Sequence, residues 1–184
     1  MKLTKKRFSK ESLLSPLLFL MLGIYLLFLA ALLFKSHMEF RSWNLFPLRS
    51  ILEYMTGLDY VTGFRHSMMQ YFAWSNLLGN VVIFVPLGVY VALFRKNGTL
   101  WKTMLMVAAV SLAAEILQVA TKTGIGDIDD LLLNALGGLI GALVYRGLCH
   151  ACGDPSKAKT VVTIFAPVAC IACFASLILI GFFS

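Results

Sequence analysis

The apolar residues of this chain fall in unbroken blocks, and the length of those blocks limits what it can fold into. Crossing the hydrocarbon of a bilayer takes about 20 helical residues at about 1.5 Å each. Five segments reach that length: roughly Leu14–Phe34, Trp74–Phe94, Leu100–Ala120, Ile128–Leu148 and Val161–Phe183. A soluble domain of 184 residues would not be 59% hydrophobic with only 14% charged residues. The reading is an all-α polytopic membrane helix bundle of about five transmembrane helices, forming a single membrane domain over residues 1–184.

Charge sets the orientation. The first block follows "MKLTKKRFSK", basic like the start of a signal peptide, but it is as long as a full span and no A-x-A site follows, so it reads as a retained signal anchor. With the N-terminus cytoplasmic, only Lys35, Arg41, Arg49, Arg65 and Lys122 of the 16 Lys and Arg residues fall outside. That asymmetry obeys the positive-inside rule and puts the C-terminus outside. The net charge of +7 then mostly faces anionic lipid in the cytoplasm, which removes nucleic acid as a partner.

The longest segment between spans, residues 35–73, lies outside. It is rich in apolar and aromatic groups ("WNLFPLRSILEYMTGL", "MMQYFAW"). Arg49 and Glu53 are four apart, with Leu48, Ile51, Leu52 and Met55 on the opposite face, the pattern of a short helix lying in the membrane interface. The other connections are the short "RKNG", "TKTGIGD" and "CHACGDPSK", so spans two, three and four are antiparallel neighbours. Two C-x-x-C pairs, Cys149/Cys152 and Cys170/Cys173, sit at different depths and read as small packing residues rather than as one metal site.

Polar residues recur at one depth. Asn76 and Asn80 share a face of span two, with Asn80 roughly 9 Å below the outer boundary. Glu115 and Gln118 share a face near the outer end of span three, with Glu115 roughly 8 Å deep. Asp130 and Asn134 are four apart at the start of span four. A carboxylate costs on the order of 3 kcal/mol near the bilayer centre and faces a bundle interior or a wet cavity. Amides in such places glue helices together, but Glu115 carries a charge that gluing does not require.

Span four opens "GDIDDLLLNALGG", with three acids in a row of four. Asp127 stands where an N-cap belongs, after Gly124 and Gly126, and acids in a first turn suit the helix dipole. The pattern reads as one cap (Asp127), one solvated acid (Asp129) and one site residue (Asp130), which shares a face with Asn134 and Gly137. Gly137 and Gly141 form a G-x-x-x-G face for close helix approach, and Pro86 with Gly88 is expected to bend span two.

"NLFPL", "NLLGNVVIFVPLG", "SLAAEILQ" and "GDIDDLLLNALGGLIG" resemble, in this order, segments of the VanZ-like family of bacterial membrane proteins, over about residues 44–145. The founding member is associated with resistance to the glycopeptide teicoplanin, and the family has no settled biochemical activity. Carried over position by position, the family's polar pattern falls on Asn76, Asn80, Glu115, Gln118, Asp127, Asp130 and Asn134. Many members have a base just before the first Asp of the cluster. Here "GIG" precedes it, so the resemblance passes that role to Lys122 or to the loop bases Arg49 and Arg65.

Three classes of function follow. The resemblance implies a bacterial cell-membrane protein that lowers sensitivity to lipoglycopeptides by binding or shielding. Its partners would be membrane lipid and a lipoglycopeptide or lipid-linked wall precursor, held through an outward polar pocket without a cofactor. The alternative is an intramembrane enzyme acting on a lipid headgroup or wall precursor. In it Glu115 and Asp130 would be catalytic, and Asp127 and Asp130 would be weak candidates for a metal. No nucleophile motif supports it, and His37 and His66 lie in the outer loop. A transporter needs paired halves that five spans without a repeat lack, unless copies assemble as a homo-oligomer.

Overall fold

The computed structural model describes residues 10–34, 43–56, 69–95 and 99–183, apart from the side chains of residues 10–13, 50, 53–55, 69–76, 169, 170 and 172–183. Along the chain these form α1 (Lys10–Leu33), β1 (Trp43–Asn44), α2 (Arg49–Thr56), α3 (Met69–Phe94), α4 (Leu100–Thr121), β2 (Gly126–Asp127), α5 (Ile128–Cys152) and α6 (Pro155–Phe183). Among the described residues four stretches are long and apolar enough to cross a membrane: Leu14–Leu33, Leu77–Phe94, Leu100–Thr121 and Ile128–Cys152. The fifth expected span lies inside α6, and most of its side chains fall outside the described residues. The chain divides into two compact units, Met1–Leu32 with Cys149–Ser184, and Leu33–Leu148.

In the first unit, Lys159 Nζ donates to Ser15 Oγ at 2.9 Å. The buried Thr163 hydroxyl satisfies itself on the Lys159 carbonyl at 2.8 Å, as a hydroxyl without water must. The expected nine-residue connection before α6 is much shorter, because local chemistry ends one helix and starts the next almost at once. Gly153 takes φ +65° and stops α5, Asp154 accepts the Ser156 N–H at 3.0 Å as an N-cap, and Pro155 stands at the first helical position.

The second unit holds α3, α4 and α5 together through glycine. A Cβ on Gly137 would strike the Val81 carbonyl, and one on Gly141 the Val85 carbonyl. Gly88 lies against the Gly138 backbone, while Gly138 also lies under Val107 of α4. The G-x-x-x-G face therefore seats α5 against α3, and the intervening Gly138 seats it against α4. Helix α3 continues unbroken through Pro86, and Gly88 serves this close approach.

The polarity of the unit is inverted relative to a soluble domain. Leu78, Val82, Leu105, Val110, Leu112, Ile116, Leu132, Leu136, Leu143 and Val144 are exposed, while Thr103, Ser111, Glu115, Asp129 and Asn134 are buried. Every fourth residue of α4 from Thr103 to Val119 is buried, and that stripe carries both Ser111 and Glu115. A bundle whose outer surface meets lipid keeps its polar groups inside, where they find partners.

Candidate functional site

One end of the second unit gathers the polar residues. Helix α4 stops at Lys122, whose backbone is left-handed (φ 59°, ψ 36°). The Thr123 N–H reaches the Gln118 carbonyl at 2.8 Å, and the Lys122 N–H reaches the Val119 carbonyl at 3.4 Å. This Schellman closure turns the chain back toward α5. Trp43–Asn44 then pairs in parallel with Gly126–Asp127, Trp43 opposite Gly126 and Asn44 opposite Asp127. The Trp43 indole lies over Gly126 and leaves no room for a Cβ there, which is why the second glycine of "GIG" is needed. This bridge was absent from the all-helical reading of the sequence.

Asp127 caps α5 as expected: its Oδ1 accepts the Asp129 N–H at 2.9 Å. The same carboxylate receives the Asn44 side-chain amide at 3.3 Å on both oxygens. Asp129 is not the solvated acid expected. It is 1% exposed, and it accepts the Leu48 N–H at 2.6 Å and the Ile51 N–H at 3.3 Å. Leu48 precedes the first residue of α2, and its carbonyl accepts the Leu52 N–H at 2.9 Å, so it occupies the N-cap position rather than the helix's apolar face. Leucine has no side-chain oxygen to cap with, so Asp129 supplies one from α5.

The remaining carboxylates lie between helices. Glu115, 5% exposed, accepts the Asp127 N–H at 3.0 Å, tying α4 to the start of α5. Asp130 accepts from Asn80 Nδ2 at 2.5 Å, tying α5 to α3. One turn further along α5, Asn134 donates to Ser111 Oγ at 2.8 Å, and Ser111 is one turn before Glu115 on α4. Coulombic interactions link Glu115 with Asp130 and Asp127, and Asp130 with Asp127 and Asp129.

The structure thus brings together Asn80, Glu115, Asp127, Asp130 and Asn134. Gln118 is tied instead to the Leu33 carbonyl at 2.7 Å and lies against Gly124. Arg49 opens α2 beside the Asp129 cap, and Lys122 is exposed at the end of α4. Arg65, His37 and His66, and the side chains of Asn76, Cys170 and Cys173, lie outside the described residues. Cys149 and Cys152 are free thiols. Among the described residues no three His, Cys, Asp or Glu side chains are grouped to hold a metal ion. Sequence reasoning misplaced Asp129 in solvent and gave no role to Ser111, Asn44 or Trp43. Of these, Ser111 carried a signal, standing four residues before Glu115 on the same helical face.

A family model described as VanZ/LLP1 matches residues 14–150. Protein VanZ of Enterococcus faecium is 36% identical over 88 residues, which are 47% of this chain and 53% of that protein. The chain spans about half the length of this curated relative. No solved structure matches.

Proposed function

The chain belongs to the VanZ/LLP1 family of membrane proteins, and from that premise we propose that it is a multi-pass protein of the bacterial cell membrane that lowers sensitivity to lipoglycopeptide antibiotics such as teicoplanin. It acts at the outer face by binding or shielding, and its polar cluster meets the headgroup end of an amphiphile whose apolar part lies among the helices. The observation that carries this reading is the convergence of α3, α4, α5 and the β1–α2 segment on one group of buried and half-buried carboxylates, through Asn80–Asp130, Glu115–Asp127 and Asp129–Leu48. The charge asymmetry of the sequence turns this end outward.

The test is teicoplanin susceptibility of a sensitive host carrying the wild type, Glu115→Gln, Asp130→Asn or empty vector, at matched membrane levels. Protection by the wild type alone identifies the cluster as the site. Equal protection by both variants reduces it to helix glue. No protection by the wild type removes the resistance role.

A further inference from the structure

We infer that this cluster binds a primary ammonium group, an inference that rests on reading the cluster as the binding site and names the chemistry it accepts. The first ground is a mismatch between donors and acceptors. The described amides at this end already donate to protein oxygens: Asn80 to Asp130, Asn134 to Ser111, Asn44 to Asp127, and the backbone N–H of Asp127 to Glu115. The acceptors are far from saturated. A carboxylate offers about four lone-pair sites. Among the described residues Glu115 accepts only the Asp127 N–H and Asp130 only the Asn80 amide.

The second ground is independent of the acids. Asn134 is 2% exposed, and its Oδ1 is buried with no hydrogen-bond partner among the described residues. A buried amide oxygen left without a donor is costly, and native proteins rarely tolerate one unless something else supplies the donor. Side chains on a helix lean toward its N-terminus, so Asn134 on α5 leans toward Asp130, one turn above it. Its Ser111 partner sits one turn below Glu115 on α4. The bare oxygen therefore belongs to a side chain one turn below Asp130, bonded to Ser111 one turn below Glu115.

Acceptors left open on two carboxylates and an amide select a ligand that brings both donors and positive charge. An anion is repelled. A divalent ion is disfavoured, because no three acidic, His or Cys side chains are grouped as ligands among the described residues. A primary ammonium carries three donors on one compact charge, one each for Glu115, Asp130 and Asn134 Oδ1. Such a group arrives either as a free amine or as the headgroup of an aminolipid.

The experiment follows thermal unfolding of the purified full chain in phosphatidylcholine nanodiscs. Methylammonium chloride is titrated against sodium chloride and tetramethylammonium chloride at equal ionic strength. A parallel series uses phosphatidylethanolamine discs without added amine. A saturable rise in the midpoint with methylammonium, absent with the other two cations, supports the inference and shows that free amines reach the site. A rise confined to phosphatidylethanolamine discs supports it with the lipid headgroup as the source. In either case Asp130→Asn and Glu115→Gln, whose folding is checked by their ligand-free midpoints, weaken half-saturation by about tenfold or more, as loss of a charge-assisted bond requires. Equal rises with all three cations, no rise in any arm, or variants that respond like the wild type overturn it. If amines have no effect while Asp130→Asn still abolishes protection from teicoplanin, the site stands and the ammonium assignment falls. If amines bind but the wild type gives no protection, the resistance reading falls and the ammonium site stands.

Discussion

Asp129 caps a helix to which it does not belong: its carboxylate, at the start of α5, holds the Leu48 N–H at 2.6 Å and the Ile51 N–H at 3.3 Å, the open end of α2. Leu48 is held in the left-handed region at φ 65°, where a side chain costs about 1 kcal/mol or more. The cap from Asp129 offsets that strain and ties the segment after α1 to the end of the bundle where Asp127 and Asp130 lie.

Asp129→Ala is expected to destabilise the protein by about 2 kcal/mol, the upper range for a lost cap, because the freed N–H groups have no other described acceptor. Asp129→Asn keeps one acceptor oxygen and should fall between. Thermal unfolding of the purified protein, with protease sensitivity of residues 43–56 as a local reading, tests this. A wild-type midpoint and cleavage pattern for the alanine variant would show that the cap is dispensable.

Gly126→Ala pushes a methyl group into the Trp43 ring and should open the short parallel pairing, at about 1–3 kcal/mol. Trp43→Ala removes the obstacle, so the double variant should lose less than the sum of the two single changes. Strict additivity would deny the contact.

Two glycines of α5 separate packing from helix propensity. Gly141→Ala meets the Val85 carbonyl and should cost on the order of 1–3 kcal/mol, with loss of the folded α3–α5 contact. Gly147 has open space where a Cβ would stand, with nothing within 4 Å, so Gly147→Ala should be neutral or stabilising by up to about 1 kcal/mol. Comparing their unfolding midpoints at matched expression decides the matter, and equal effects would mean that close approach at Gly141 is not required.

Lys122→Gly relieves a left-handed lysine at the C-terminus of α4 and should raise stability by up to about 1 kcal/mol. If Lys122 serves only this turn, the variant protects a host from teicoplanin as well as the wild type does. Greater stability with lost protection would instead assign the lysine the ligand role that the family resemblance passes to it.

The sequence alone determined the helices, because they follow from block length and local signals. Apolar runs of span length, Asp127 before Ile128, and Gly137 with Gly141 each act within one helix or its first turn. "GDPS" was equally local, and its glycine stop, aspartate cap and leading proline were legible although the sequence was read as a longer loop. Depth counting put Asn80, Glu115 and Asn134 near one level, with Asp130 one turn above Asn134. Only the tertiary structure decided who pairs with whom. A carboxylate's partner is set by the chain that folds back upon it, and nothing local tells Asp129, one residue before Asp130, that it will be buried under Leu48 rather than left to solvent. The Trp43–Gly126 bridge, the Asn134–Ser111 bond and the bare Asn134 oxygen arise the same way, from contacts between segments distant in sequence whose geometry no helical period encodes.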